Sequence, residues 1–198
     1  CRGKCIFCSI ELNSKRPPKA KEVMAFIEEN FNGHDSINFD AADFLDDIKQ
    51  VKELIELLKN SPFASVPKKI TTRVDNLGDG SILIDLAEAG ITLVSFGIES
   101  FNTTILHKIS KQTTREQNIR AIELTLGVGI TTGMNLILFT PWDTVDTTLD
   151  TIQNAVKYVL QGAYPNVVAY IQVRPTDPVS KIKEIVTYET YQSKGMPK

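Results

Sequence analysis

The sequence predicts an α/β protein built on a parallel β-sheet, either open or curled into a barrel. Two observations carry this. Strand-like and helix-like segments alternate five times, at intervals of roughly 25–40 residues, the length of a βα unit. The strand-like segments are continuous apolar runs rather than alternating ones, as expected of parallel strands covered on both faces. With 198 residues, 42% hydrophobic and 23% charged, the chain can bury a real core as one domain, and its composition argues against disorder.

The elements follow in order. Pro17-Pro18 ends the N-terminal segment, and Lys19–Phe31 places Val23, Phe26 and Ile27 at helical spacing. Ser36–Asp40 is a short β stretch. Leu45–Lys59 gathers Ile48, Val51, Leu54, Ile55 and Leu58 on one face, with charges opposite, and predicts an amphipathic helix. Lys69–Asp75 reads as a strand, and Ser81–Ala89 as a helix stopped by Gly90. Thr92–Ile98 is a buried-type strand. Thr113–Leu126 is a helix opened by the capping box Thr113-x-x-Glu116. Thr131–Phe139 is a strand, and Thr144–Gln161 a helix expected to turn Val145, Leu149, Ile152, Val156 and Val159 inward. Asn166–Val173 is the last strand, followed by a polar tail over 175–198.

In parallel α/β architectures ligands sit at the C-terminal ends of the strands. That rule selects Asp40 with Asp43, Arg73 with Asp75, Glu99 with Ser100, the Thr140-Pro141 turn, and Arg174 with Pro175. Four of these five ends carry charge. Unpaired charge is costly inside a sheet, so the ends are expected to face a polar cleft.

The cysteines are the most informative residues. All three, Cys1, Cys5 and Cys8, lie in the first eight positions. An odd count excludes a closed disulfide framework. Thiolates this tightly clustered point to one metal site, and soft sulfur ligands favour iron–sulfur, zinc or Cu(I). A structural zinc needs a fourth ligand, and His34 and His107 lie at no finger-like spacing and are expected at the surface. An iron–sulfur cluster on three cysteines leaves one iron open. A Cys5–Cys8 redox pair remains the third reading. With 22 Lys and Arg against 24 Asp and Glu, the net charge of −2 gives no basic field for a nucleic-acid backbone. Asp85 and Glu88 interrupt the apolar run Ile82–Ile98, and Ile130–Trp142 is too short to span a bilayer. The N-terminus CRGKCIFC is not a signal peptide.

Cys1-x3-Cys5-x2-Cys8, with the aromatic Phe7 just before the last cysteine, resembles the signature of the radical S-adenosylmethionine (radical SAM) superfamily. Further segments are similar to that family: Asn38–Phe44 to the end of its second strand, and Val94–Ser100 to its fourth, including the glutamate. Lys108–Lys111 is similar to the stretch after that strand. Met134–Thr144 resembles the fifth strand and its turn, in the style of the cobalamin-associated subgroup.

The resemblance implies a partial (β/α)6 TIM-like barrel with a [4Fe–4S] cluster at its mouth. Cys1, Cys5 and Cys8 would ligate three irons, and SAM would chelate the fourth. One electron then cleaves SAM to methionine and a 5′-deoxyadenosyl radical, which abstracts hydrogen from a substrate, with methyl transfer among the outcomes. The resemblance places Phe7 beside the cluster or adenine and Glu99 on the ribose hydroxyls, with Ser100 as its neighbour. Lys111 would pair with the SAM carboxylate. Asp40 and Asp43 stand where the family has Gly-Gly-Glu and would receive the SAM amino group. Arg73 would face SAM or substrate, and Ile137 and Leu138 would wall the adenine. Trp142 is expected over the cleft or packed on its own helix. A substrate and an electron donor such as a flavodoxin or ferredoxin are the implied partners. An oxygen-sensitive cluster and the lack of structural disulfides lead to an expected reducing, cytoplasmic setting. The family places a strand directly before the cysteine loop, and this chain starts at Cys1. The first strand is therefore expected to be missing, residues 1–198 to be the radical SAM core of a longer protein, and cobalamin, if used, to sit on a domain outside them.

Overall fold

The computed structural model of the chain describes residue 1, residues 3–8 and residues 17–168. The end of the expected last strand, Arg174 with Pro175, and the tail lie outside the described residues. Five strands form one parallel sheet in chain order: β1 (Ile37–Phe39), β2 (Lys68–Thr72), β3 (Ile91–Glu99), β4 (Thr131–Ile137) and β5 (Tyr164–Val168). Among the described residues the sheet does not close, with β1 and β5 at its edges. Helix α1 (Ala20–Asn30) precedes β1, and between the strands run α2 (Ile48–Lys59), α3 (Ile82–Glu88), α4 (Thr103–Lys108), α5 (Arg115–Gly127) and α6 (Val145–Val159). No helix among them is long and apolar enough to cross a membrane.

The β3 sequence Leu93-Val94-Ser95-Phe96-Gly97-Ile98 alternates large apolar with small residues, and the sheet sorts them by face. Ile70, Val94, Phe96, Ile98, Met134 and Leu136 are buried in the core with Leu58, Leu83, Leu86 and Ile122 from the helices. Thr71, Ser95, Gly97 and Asn135 are only half-buried. A cavity of about 260 Å³ is lined by Ser36, Asn38, Lys69, Thr71, Ser95 and Tyr164, with the aliphatic Ile70 and Leu93. Among the described residues the expectation of strands covered on both faces is therefore not met: alongside Leu93, the alternate positions Thr71, Ser95, Gly97 and Asn135 are small or polar.

Helix α6 also departs from expectation. Val145, Leu149, Ile152, Val156 and Val159 face outward, Val145 being 74% exposed, while Thr148, Thr151, Ala155 and Tyr158 are buried. The rotation has a polar cause. The Thr151 hydroxyl lies 2.8 Å from Ser100 Oγ and accepts from the Phe101 N–H. Arg115 donates to both oxygens of Asp150 and to Asn154 Oδ1, while Tyr158 stacks on Phe101 with centroids 6.0 Å apart. Small inward residues let the helix approach the sheet, and these contacts fix its rotation against its apolar periodicity. Two smaller differences concern helix starts. The α5 capping box is Thr114 with Gln117, one residue after the expected pair. Helix α4, which the apolar spacing did not announce, is capped by Asn102, whose side chain accepts from Thr104 N and Ile105 N.

At the opposite end of the sheet from the cysteines, Lys68 is fully buried without a carboxylate partner. Its ammonium donates to the carbonyls of Phe63, Ala64 and Val66, tying the loop after α2 to the start of β2. Gly90, at φ +80°, closes α3 beside it, where a Cβ would strike the Ala64 carbonyl. Burial lowers the Lys68 pKa from 10.5 to about 8. Because the unfolded chain holds this proton over a wider range than the folded one, stability contributed at this site rises with pH between those two values. Lys68→Met leaves three carbonyls without their donor and is expected to cost about 2–4 kcal/mol, read by urea unfolding at neutral pH. The same titration repeated toward pH 10 should show wild type gaining stability relative to the variant. A loss under about 1 kcal/mol would show that water already satisfies these carbonyls.

Candidate functional site

The C-terminal strand ends and the cysteine loop meet at one place. The loop is tied down by its backbone: Ile6 N–H donates to the Ile109 carbonyl at 3.1 Å, and Cys8 N–H to the Cys5 carbonyl at 3.1 Å. Arg73, just past β2, reaches the loop from below. Its guanidinium forms two bonds to Asp75, at 2.9 and 2.8 Å, donates to the Lys111 carbonyl, and places Nη1 4.0 Å from Cys5 Sγ. A Cβ on Gly3 would lie 2.6 Å from the same Nη1, so a larger residue there would have to push the guanidinium aside. Burial works against the Arg73 charge, but Asp75 overrides it and holds the pKa above its usual value. Burial likewise pushes the Cys5 thiol up, while Lys111 and Arg73 pull it toward the thiolate.

Beside the loop, Glu99 Oε1 accepts from Lys111 Nζ at 2.9 Å, and both residues are buried, at 8% and 4% exposure. Gly97 makes room for the pair: a Cβ there would lie 2.6 Å from Nζ and 2.7 Å from Oε1. The backbone is bent to present these groups. Glu99 has φ 60°, and Ser110 and Gln112, which flank Lys111, have φ 53° and 61°. Phe139 at the end of β4 has φ 59°. Left-handed backbone at non-glycine residues costs of order 1–3 kcal/mol each and clusters where geometry serves a site.

The remaining expected ligands divide. Asp40 is exposed beyond β1, and Phe7 is half-buried in the cysteine loop. Ile137 closes β4, and the Leu138 N–H donates to the Val168 carbonyl. Two others are committed to protein partners. Asp43 Oδ1 accepts from the Thr72 hydroxyl and the Arg73 N–H, and its Oδ2 from Asn76, so this carboxylate clamps the loop after β1 to the end of β2. The Ser100 hydroxyl turns toward α6, meeting Thr151 Oγ1 and accepting from the Asn102 N–H. Both side chains thus hold protein partners in this arrangement. Thr140 and Asp143 form a closed turn, with Asp143 accepting from Thr140 N and the Thr147 hydroxyl. Gly97 and Asn118 are the contributors that the sequence reading passed over. Gly97 was signalled by a glycine within an apolar strand, and Asn118 by a polar residue on the buried face of α5.

The donor set suits an iron–sulfur cluster in kind: three soft sulfurs on one short loop, flanked by two cations that favour thiolate. Among the described residues no three Cys, His, Asp or Glu side chains converge on a point.

The profile of the Radical SAM superfamily matches residues 1–162. No curated protein sequence matches the chain. Several solved structures share its fold. OxsB, a cobalamin-dependent S-adenosylmethionine radical enzyme solved with aqua-cobalamin and S-adenosylmethionine, aligns over 98% of this chain and 34% of its own, at 16% identity and TM-score 0.72. The radical S-adenosylmethionine methyltransferase TsrM from Kitasatospora setae aligns over 90% of this chain and 35% of its own, at 17% identity and TM-score 0.78. Coproporphyrinogen III oxidase from Escherichia coli aligns over 93% and 45%, at 16% identity and TM-score 0.67. The chain thus spans about a third of the first two structures and under half of the third.

Lys111→Met, by removing one partner of a buried ion pair, is expected to destabilise the fold by about 3–5 kcal/mol. Replacing both partners, in Lys111→Met with Glu99→Leu, is expected to recover most of that loss in urea unfolding, because no buried charge is then left alone. Equal losses in the single and double variants would show that the pair is not what stabilises this corner.

Proposed function

The chain belongs to the radical SAM superfamily, and from that premise we propose that it is the core of an enzyme whose cysteine loop and β3 end hold a [4Fe–4S] cluster and SAM side by side. The single observation that carries the reading is the buried Glu99–Lys111 pair, set beside the cysteine loop on strained backbone. Cys1, Cys5 and Cys8 are the proposed cluster ligands. Glu99 offers a carboxylate able to accept from two ribose hydroxyls, and Lys111 an ammonium able to meet the SAM carboxylate. In the absence of SAM the two groups satisfy each other, which keeps a costly pair of charges in place and ready.

Arg73 anchors the loop through Cys5 and the Lys111 carbonyl, so one guanidinium couples the ligand loop to the SAM-binding lysine. Phe7, Asp40, Ile137 and Leu138 remain candidates for the adenine and amino ends of SAM. Asp43 and Ser100 we assign to holding the strand ends. When bound, a reduced cluster supplies the electron that cleaves SAM to methionine and a 5′-deoxyadenosyl radical. A substrate and a reductant complete such a reaction. Methyl transfer is the form supported by likeness in fold to TsrM, and cobalamin held outside these 198 residues by likeness to OxsB and TsrM.

Anaerobic reconstitution with iron and sulfide, followed by reduction and SAM, should give a brown protein and 5′-deoxyadenosine on chromatography. Cys8→Ala should lose the visible iron–sulfur absorption. Glu99→Gln should keep its iron and bind SAM more weakly by about tenfold, the scale of one charge-assisted hydrogen bond. A colourless protein carrying one equivalent of zinc would overturn the proposal.

A further inference from the structure

Glu99 occupies an unfavourable backbone state, and something must hold it there. The β3–β4 ladder pairs Gly97 with Asn135 and then Glu99 with Leu136, skipping Ile98. Around this bulge the chain turns sharply, and the Ser100 N–H closes back on the Ile98 carbonyl at 2.7 Å. Asn118, fully buried in the second turn of α5, points its amide at this turn. Its Nδ2 donates to the Ile98 carbonyl at 3.1 Å and to the Ser100 carbonyl at 3.0 Å. Both hydrogens of one side chain thus grip the backbone on either side of Glu99.

The other half of the amide points to the same conclusion. Asn118 Oδ1 is buried and has no hydrogen-bond partner. A buried polar atom left unpaired costs free energy that a leucine of the same size would not. The residue therefore earns its place through its two donors alone, and both are directed at Glu99's neighbours.

We propose that Asn118 is a positioning residue for SAM binding: by holding the carbonyls of Ile98 and Ser100, it keeps Glu99 in the left-handed conformation that aims its carboxylate at Lys111 and the mouth. Asn118 touches no ligand and acts only through the Glu99 backbone. The inference rests on the reading of Glu99 as a SAM-binding residue.

The test compares Asn118→Leu, Asn118→Asp, Glu99→Gln and the double variant Asn118→Leu/Glu99→Gln, each as reconstituted protein, by iron content, thermal midpoint and SAM affinity from equilibrium titration. Asn118→Leu removes both donors at constant size. Asn118→Asp keeps the shape while losing the paired donors, and it carries the test if the leucine variant does not take up iron. The expected result is wild-type iron content with SAM bound about tenfold or more weakly, the scale of outer-shell partners at such sites. The double variant should bind no more weakly than Glu99→Gln alone, since both changes remove one function. A lowered thermal midpoint with unchanged SAM affinity would overturn the inference and leave a structural role. Additive losses in the double variant would overturn it as well, because Asn118 would then act on something other than Glu99. Unchanged SAM affinity in Glu99→Gln would instead overturn the reading of Glu99 on which the inference stands.

Discussion

A carboxylate and an ammonium buried 2.9 Å apart at the end of β3 constrain everything near them. Two charges withdrawn from water are tolerable only while each sees the other, and that requirement reaches into the backbone. Gly97 is needed because a methyl group would stand between them. Left-handed residues on both sides of Lys111, and at Glu99 itself, bring the partners onto one line. The cysteine loop rests on the same segment through the Ile109 and Lys111 carbonyls, the second by way of Arg73. The ligand loop, the ion pair and the strand end form one mechanical unit.

This unit is polar, while of the helices behind it α2, α3 and α5 pack through apolar side chains and α6 through hydroxyls and an ion pair. Between them lies a narrow band of residues that serve both sides. Asp43 satisfies the end of β2, and the Ser100–Thr151 hydroxyl contact satisfies the turn after β3. These residues sit where a ligand could be imagined and are occupied in supporting those that could bind one. Proximity to the mouth is a poor guide to role; the free valence of each side chain is a better one.

Much of this was legible in advance. The alternation of strands and helices and the charged strand ends follow from spacing and from the rule that parallel strands open at their C-terminal ends, and the meeting of the cysteines with those ends is what the family resemblance implied. What the sequence did not show has a common cause. Helix α6 was read by its valines and leucines, yet hydroxyls at Thr151 and a guanidinium from Arg115 decide which face turns inward. Ser100 and Asp43 were read by chemical type, and type does not show which partner a side chain has already met. Asn118 was signalled only as a polar residue on the buried face of α5; its task depends on a bulge, and a skipped residue in a ladder leaves no mark in the order of amino acids.

The face of the sheet turned away from the helices carries hydroxyls, one amide and one lysine around a cavity of about 260 Å³ that Ile70 and Leu93 also line. Such a surface is wet, and water leaves it reluctantly. A guest can settle there only by restoring the hydrogen bonds that the departing molecules had made. An aliphatic guest would strand Asn38, Thr71 and Ser95, whereas one bearing amides or hydroxyls of its own would not. The small size of these residues therefore acts as a filter: it leaves space, and it leaves that space expensive to fill with anything that cannot stand in for water.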